Sequence, residues 1–146
     1  MRWRGLIGGV TAAALLVAGC AGGMMGEKKA PLYERLGGRP AIQAVVDEFI
    51  GNVAADARIN KHFAGANIGK LKSNLVDQIC EAAGGPCKYT GQNMKSAHAG
   101  MKITDAEFDA LVEDLGKSLD KLKVQEGEKT ELLTALGGMR KDVVGQ

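Results

Sequence analysis

The sequence predicts an all-α fold, on three observations. Four long segments repeat apolar residues at helical spacing. Paired glycines with a proline close behind, Gly37-Gly38 before Pro40 and Gly84-Gly85 before Pro86, separate segments sharply. No stretch of the 146 residues alternates apolar and polar positions as a half-buried strand does. A hydrophobic fraction of 45% and a charged fraction of 25% are those of a globular domain, and the length suits one.

The chain begins outside that fold. Arg2 and Arg4 precede an uncharged apolar run, Leu6 to Ala18. A span needs about 20 such residues, so this run reads as the core of a secretory signal. Its ending, Val17-Ala18-Gly19-Cys20, resembles the lipobox of bacterial lipoproteins, which implies cleavage of residues 1–19 and a lipid on Cys20. Ordinary signal cleavage and an uncleaved anchor are the alternatives. Residues 20–30, CAGGMMGEKKA, are rich in small residues and read as a flexible tether. Loss of residues 1–19 removes two of the 19 basic residues and none of the 17 acidic ones, leaving a mature chain of zero formal charge. No basic cluster is interleaved with aromatics, so nothing supports a nucleic-acid partner. An exported chain also suits a disulfide between the remaining cysteines, Cys80 and Cys87. Two free thiols are the other reading, and no further Cys or nearby His completes a metal set.

In order, Pro31 opens a short helix, Leu32 to Leu36, stopped by Gly37-Gly38. Pro40 suits the first turn of a second helix reaching about Ala54. There Ile42, Val45, Val46, Phe49, Ile50 and Val53 share one wide face. Asp56 to Gly65 is a break with a one-turn element ending at His62-Phe63; Phe63 is expected to be buried and His62 solvated. A third helix spans about Ile68 to Ala83, with Ile68, Leu71, Leu75, Val76 and Ile79 inward, until Gly84-Gly85-Pro86 ends it. Thr104 and Glu107 have the spacing of a capping box. They start a fourth helix whose stripe is Phe108, Leu111, Val112, Leu115, Leu119 and Leu122. Asp105, Glu107, Asp109, Glu113 and Asp114 read as its solvated face. Gly127 marks a turn, and a last helix from near Glu128 carries Leu132, Leu133, Leu136, Met139 and Val143 across Gly137-Gly138.

Between the third and fourth helices lies a long irregular region with His98 near its centre. Met94, Ala97, His98 and Met101 share one face of a two-turn helix bounded by Gly91 and Gly100. One histidine is too few for a protein-only zinc site. It is enough for a haem, or it is simply a satisfied core residue. No nucleophile stands at a telling distance from a base, and no glycine loop suits a phosphate.

Taken together, the motifs resemble the group 1 truncated haemoglobins. The resemblance runs through Leu32-Tyr33-Glu34-Arg35-Leu36-Gly37-Gly38, the Phe49 helix, His62-Phe63-Ala64-Gly65, Leu71-Lys72, Gly84-Gly85-Pro86, Tyr89-Thr90-Gly91, Met94-Lys95 with His98 and Gly100, and Ile103-Thr104. It implies a globin domain over residues 31–146, folded as a two-over-two helical sandwich around one b-type haem. His98 matches the proximal iron ligand and Phe63 the aromatic packed on the ring. Phe49, Ile50, Leu71, Leu75 and Ile79 match the distal wall, and Tyr89, Met94 and Met101 positions near the proximal side or haem edge. The backbone of the Met94 turn is the natural acceptor for the second ring nitrogen of His98.

The implied activity is reversible binding of O₂, NO or CO at an open sixth iron position. Many relatives place donor Tyr and Gln side chains there, at positions matching Ile50 and Leu75, which donate nothing. Fast O₂ release is therefore expected. An NO dioxygenase or weak peroxidase served by a reductase is the enzymatic alternative, and a haem-free helical lipoprotein the structural one. Asn74 stands where relatives carry a propionate-binding lysine or an iron-ligating histidine, so a mainly five-coordinate ferrous haem is expected; Lys72 and Lys95 are either replacement cations or simply solvated lysines, the latter being the simpler reading. The leader adds a membrane partner and a place in the bacterial envelope.

Overall fold

The computed structural model describes residues 28–146, which are all-helical with no strand. The signal-peptide and Cys20 lipidation readings, and most of the 20–30 tether, lie outside the described residues. Among those residues no helix is long and apolar enough to cross a membrane.

Six α-helices follow in order: α1 Leu32–Arg35, α2 Gly38–Ala55, α3 Ile68–Ala82, α4 Met94–His98, α5 Asp105–Lys121 and α6 Glu126–Gly137. Short 3-10 turns cover Asn60–Phe63 and Arg140–Asp142. The apolar stripe of α2 decides the architecture. All six of its predicted inward residues are buried, and α2 packs against both α3 and α5. α5 in turn packs on α6, so one helical pair, α2 and α3, lies over another, α5 and α6. Val46, Val76, Leu119 and Leu132, one from each long helix, are at most 1% exposed and meet at the centre. Each such side chain contributes roughly 1.5–3 kcal/mol by leaving water.

The helix ends follow local chemistry. Thr104 and Glu107 form the expected capping box: Glu107 N donates to Thr104 Oγ1 at 3.2 Å, and Thr104 N to Glu107 Oε2 at 2.9 Å. At the end of α3, Gly84 takes φ +78° and Gly85 N donates back to Cys80 O at 2.8 Å. Gly85 is also required by close approach, because a Cβ there would lie 2.5 Å from the Tyr33 ring and 2.7 Å from Cys80 Sγ.

Cys80 and Cys87 are joined by a disulfide with Cα atoms 5.7 Å apart. It clips the end of α3 to the connector that leads to α4. Replacing both cysteines with alanine should cost about 2.5 kcal/mol in the chain-entropy model. Urea titration of the non-reduced protein against the double variant measures this. Thiol counting on the denatured, unreduced protein should find neither Cys80 nor Cys87 free.

Several local expectations are corrected. α6 starts at Glu126, so Gly127 lies inside its first turn. It stops at Gly137, which puts Met139 and Val143 in a separate C-terminal segment. Ile68 is 40% exposed, being the first residue of α3 rather than part of its inward stripe. Leu122 is equally exposed, since α5 ends one residue before it. Asp114 is not on a solvated face but 2% exposed, with Oδ1 accepting from Lys117 Nζ at 3.2 Å.

Candidate functional site

The site is built around α4, a helix of five residues. Asn93 starts it, its side-chain oxygen accepting from Ser96 N at 2.9 Å. Ala99 in extended conformation and Gly100 at φ +80° end it just after His98. His98 Nδ1 lies 2.7 Å from the carbonyl oxygen of Met94. A carbonyl only accepts, so Nδ1 carries a proton, and in the neutral imidazole the lone pair is then on Nε2. The acceptor is the one expected for an imidazole held ready to bind a metal through its other nitrogen.

His98 opens onto a cleft of about 70 Å³, whose other lining residues are Ile59, His62, Phe63, Met101, Ile103, Glu107, Phe108, Leu111 and Val143. Of the predicted site residues, His98, Phe63 and Met101 therefore meet in one place. Met94 supplies the backbone acceptor, and its sulfur takes an amide contact from Gln78 Nε2 at 3.3 Å. The same nitrogen lies 3.5 Å from Met139 Sδ, so α3 touches both α4 and the C-terminal segment.

The other predicted residues fall elsewhere. Phe49 and Ile50 are buried in the stripe of α2, and Leu71 and Leu75 are half-buried against the same core. Ile79 faces a void of about 10 Å³ with Ile42, Leu119 and Leu132, away from the cleft. Tyr89 is not in the cleft lining; its hydroxyl donates to Gln92 O at 2.7 Å, and burial pushes its pKa up. Lys72 is paired with Asp47 at 2.8 Å, and Lys95 is exposed.

His62 is the clearest residue that sequence reasoning missed. It is not solvated: only 15% of its side chain is exposed, and Nε2 lies 3.1 Å from Glu107 Oε1. Glu107 also takes Lys61 Nζ at 2.7 Å. Lys61, the Thr104 backbone N–H and His62, in that order, hold the Glu107 carboxyl well below the usual carboxylate range. The folded pKa is depressed, so this stabilisation is complete above the free carboxyl's 4.5 and is lost as pH falls below it. Urea midpoints measured from pH 7 down to pH 3 should fall less steeply for E107Q than for the unaltered protein.

Among the described residues no group of three or more His, Cys, Asp or Glu side chains converges to hold a metal ion. With His62 paired to Glu107, the single oriented imidazole of His98 over a mainly apolar cleft suits a metal that brings its other ligands with it.

Comparison with known proteins agrees. Residues 31–144 match the model of the bacterial-like globin family. The chain belongs to this family. Within it, the chain is 34% identical over 119 residues to a group 1 truncated hemoglobin of Tetrahymena pyriformis, covering 82% of this chain and 98% of that one. The crystal structure of the truncated hemoglobin from T. pyriformis in its Fe(III) form superposes with a TM-score of 0.77 at 34% identity, covering 80% of this chain and 99% of that one. The 2/2 hemoglobin from Synechococcus sp., solved in the cyanomet state with covalently attached heme, gives 0.75 at 35% identity, covering 80% and 100%. The all-α globin fold expected from the sequence is thus the fold of the molecule, and the chain stands among the group 1 truncated haemoglobins.

Proposed function

We propose that this truncated haemoglobin binds one b-type haem through His98 and takes up a diatomic gas reversibly on the opposite side. The observation that carries the reading is the Nδ1–Met94 contact, which leaves Nε2 of His98 free to bind a metal in a mainly apolar cleft whose other polar side chains, His62 and Glu107, pair with each other. The Synechococcus relative's attached heme supports it. Bound haem supplies an iron with a position open to O₂, NO or CO.

The chain's own residues do the rest. Met94 O orients His98. Phe63, Met101, Phe108, Leu111 and Val143 exclude water from the His98 side. Ile50 and Leu75, read as the distal wall with Phe49, Leu71 and Ile79, carry no donor. A gas bound beside them would find no hydrogen-bond donor on these side chains, which would disfavour polar O₂ more than CO. This favours a rapidly exchanging gas binder over an NO dioxygenase or peroxidase, whose chemistry needs polar groups and a reductase.

We also infer a lipid anchor on Cys20 and a place in the bacterial envelope, from the leader and its Val-Ala-Gly-Cys ending. A disulfide in the domain fits an oxidising compartment. Haemin titration of the domain from Ala21 tests the first reading: one equivalent should saturate a Soret band, and a featureless mixing curve would refute it. Radiolabelled palmitate in whole cells tests the second. Label should enter the full chain and be lost in C20A; equal labelling of both would rule the anchor out.

A further inference from the structure

We propose that the C-terminal segment, Arg140 to Gln146, is a strap that positions His98 through the loop that follows it. The proposal rests on the reading of His98 as the iron ligand. The loop leaving His98 has little structure of its own. Met101 N donates to His98 O at 3.0 Å, and Lys102 then takes φ +50°, a left-handed conformation that a lysine holds only when something fixes it.

What fixes it is the end of the chain. Lys102 N donates to Gln146 O at 2.8 Å, and Gly145 N donates to Ile103 O at 2.9 Å. Among the described residues these are the loop's only main-chain hydrogen bonds to a distant segment. Between them the strap drops Val143, 5% exposed, into the same cleft as His98. Its other end is pinned to α5: Arg140 pairs with Asp105 at 2.7 Å and with Asp109, and its guanidinium lies 4.6 Å from the centre of the Phe108 ring. α4 is only five residues long and cannot hold His98 rigidly alone. With Met94 O bonded to the ring and the strap fixing the loop that leaves His98, the imidazole would be held in place when it binds a metal.

The strap residues touch no reacting atom, so their effect is one of positioning. It should appear in the iron–histidine stretching band of the ferrous, gas-free protein, read by resonance Raman. Gly145 sits at φ +75°, which proline cannot adopt, and proline also removes the N–H to Ile103. G145P should shift and broaden the band and speed haemin loss roughly fivefold, the worth of one net hydrogen bond. G145N keeps the N–H and tolerates positive φ, and should restore the unaltered band. An unchanged band and loss rate in G145P, or a G145N as perturbed as G145P, would overturn the strap. Amide hydrogen exchange of the unaltered protein covers the case in which G145P fails to fold. The Lys102 and Gly145 amides should be protected and open together, whereas exchange at free-peptide rates would refute the proposal. An unaltered protein that takes up no haem would sink the ligand reading instead. One that takes up haem with a band indifferent to G145P sinks the strap alone.

Discussion

H98A should lose the five-coordinate ferrous spectrum completely. The effect is large because nothing else in the cleft can take over the role. The cleft's only other histidine, His62, has Nε2 committed to Glu107 at 3.1 Å, and no cysteine lines it. Met101 offers a thioether, a ligand that gives a different spectrum. Haem bound without its protein ligand keeps only the burial of its ring, so haemin loss should also accelerate. Free imidazole has the same donor as the missing side chain. If the H98A cavity admits it, added imidazole should bring back a five-coordinate band. A ferrous H98A spectrum identical to that of the unaltered protein would show that the iron is held elsewhere.

The second large effect concerns the opposite wall. I50Y places a phenol hydroxyl where an alkyl group now stands. O₂ becomes polar when it is held, and a hydrogen bond to a charged or strongly polar group in a buried site is worth about 1.5–3 kcal/mol. O₂ release, measured by rapid mixing, should therefore slow by roughly 10- to 100-fold, while CO release changes far less. Ile50 is 8% exposed and packed in the α2 stripe, so the larger ring should also cost about 1–3 kcal/mol of stability by overpacking. L75Q adds a donor from α3 and should act in the same direction. Equal O₂ release from all three proteins would remove the argument that Ile50 and Leu75 set the exchange rate.

The parts of this molecule that the sequence foretold are those fixed within a few residues. The α2 stripe, the Thr104–Glu107 box and the Gly84-Gly85-Pro86 stop each follow from side-chain period or from one turn of backbone. His98 was legible because its acceptor, Met94 O, lies one helical turn away. The features that escaped are long-range pairings. His62 looked solvated because Glu107 lies 45 positions along the chain, on another element. Asp114 sits next to Glu113 in sequence, yet the twist of α5 buries one and leaves the other exposed. The apolar spacing of the last segment runs across Gly137-Gly138, whereas α6 ends there and Met139 to Gln146 folds back on the His98 loop.

The central claim, that His98 holds a haem iron with an open opposite position, is tested most directly by one spectrum. The domain from Ala21 is loaded with one equivalent of haemin, reduced with dithionite, and recorded before and after CO. The predicted result is a broad five-coordinate ferrous band that sharpens into a single intense CO band, with neither form seen in H98A. No Soret complex, a six-coordinate ferrous spectrum that CO does not alter, or the same pair of spectra from H98A would contradict it.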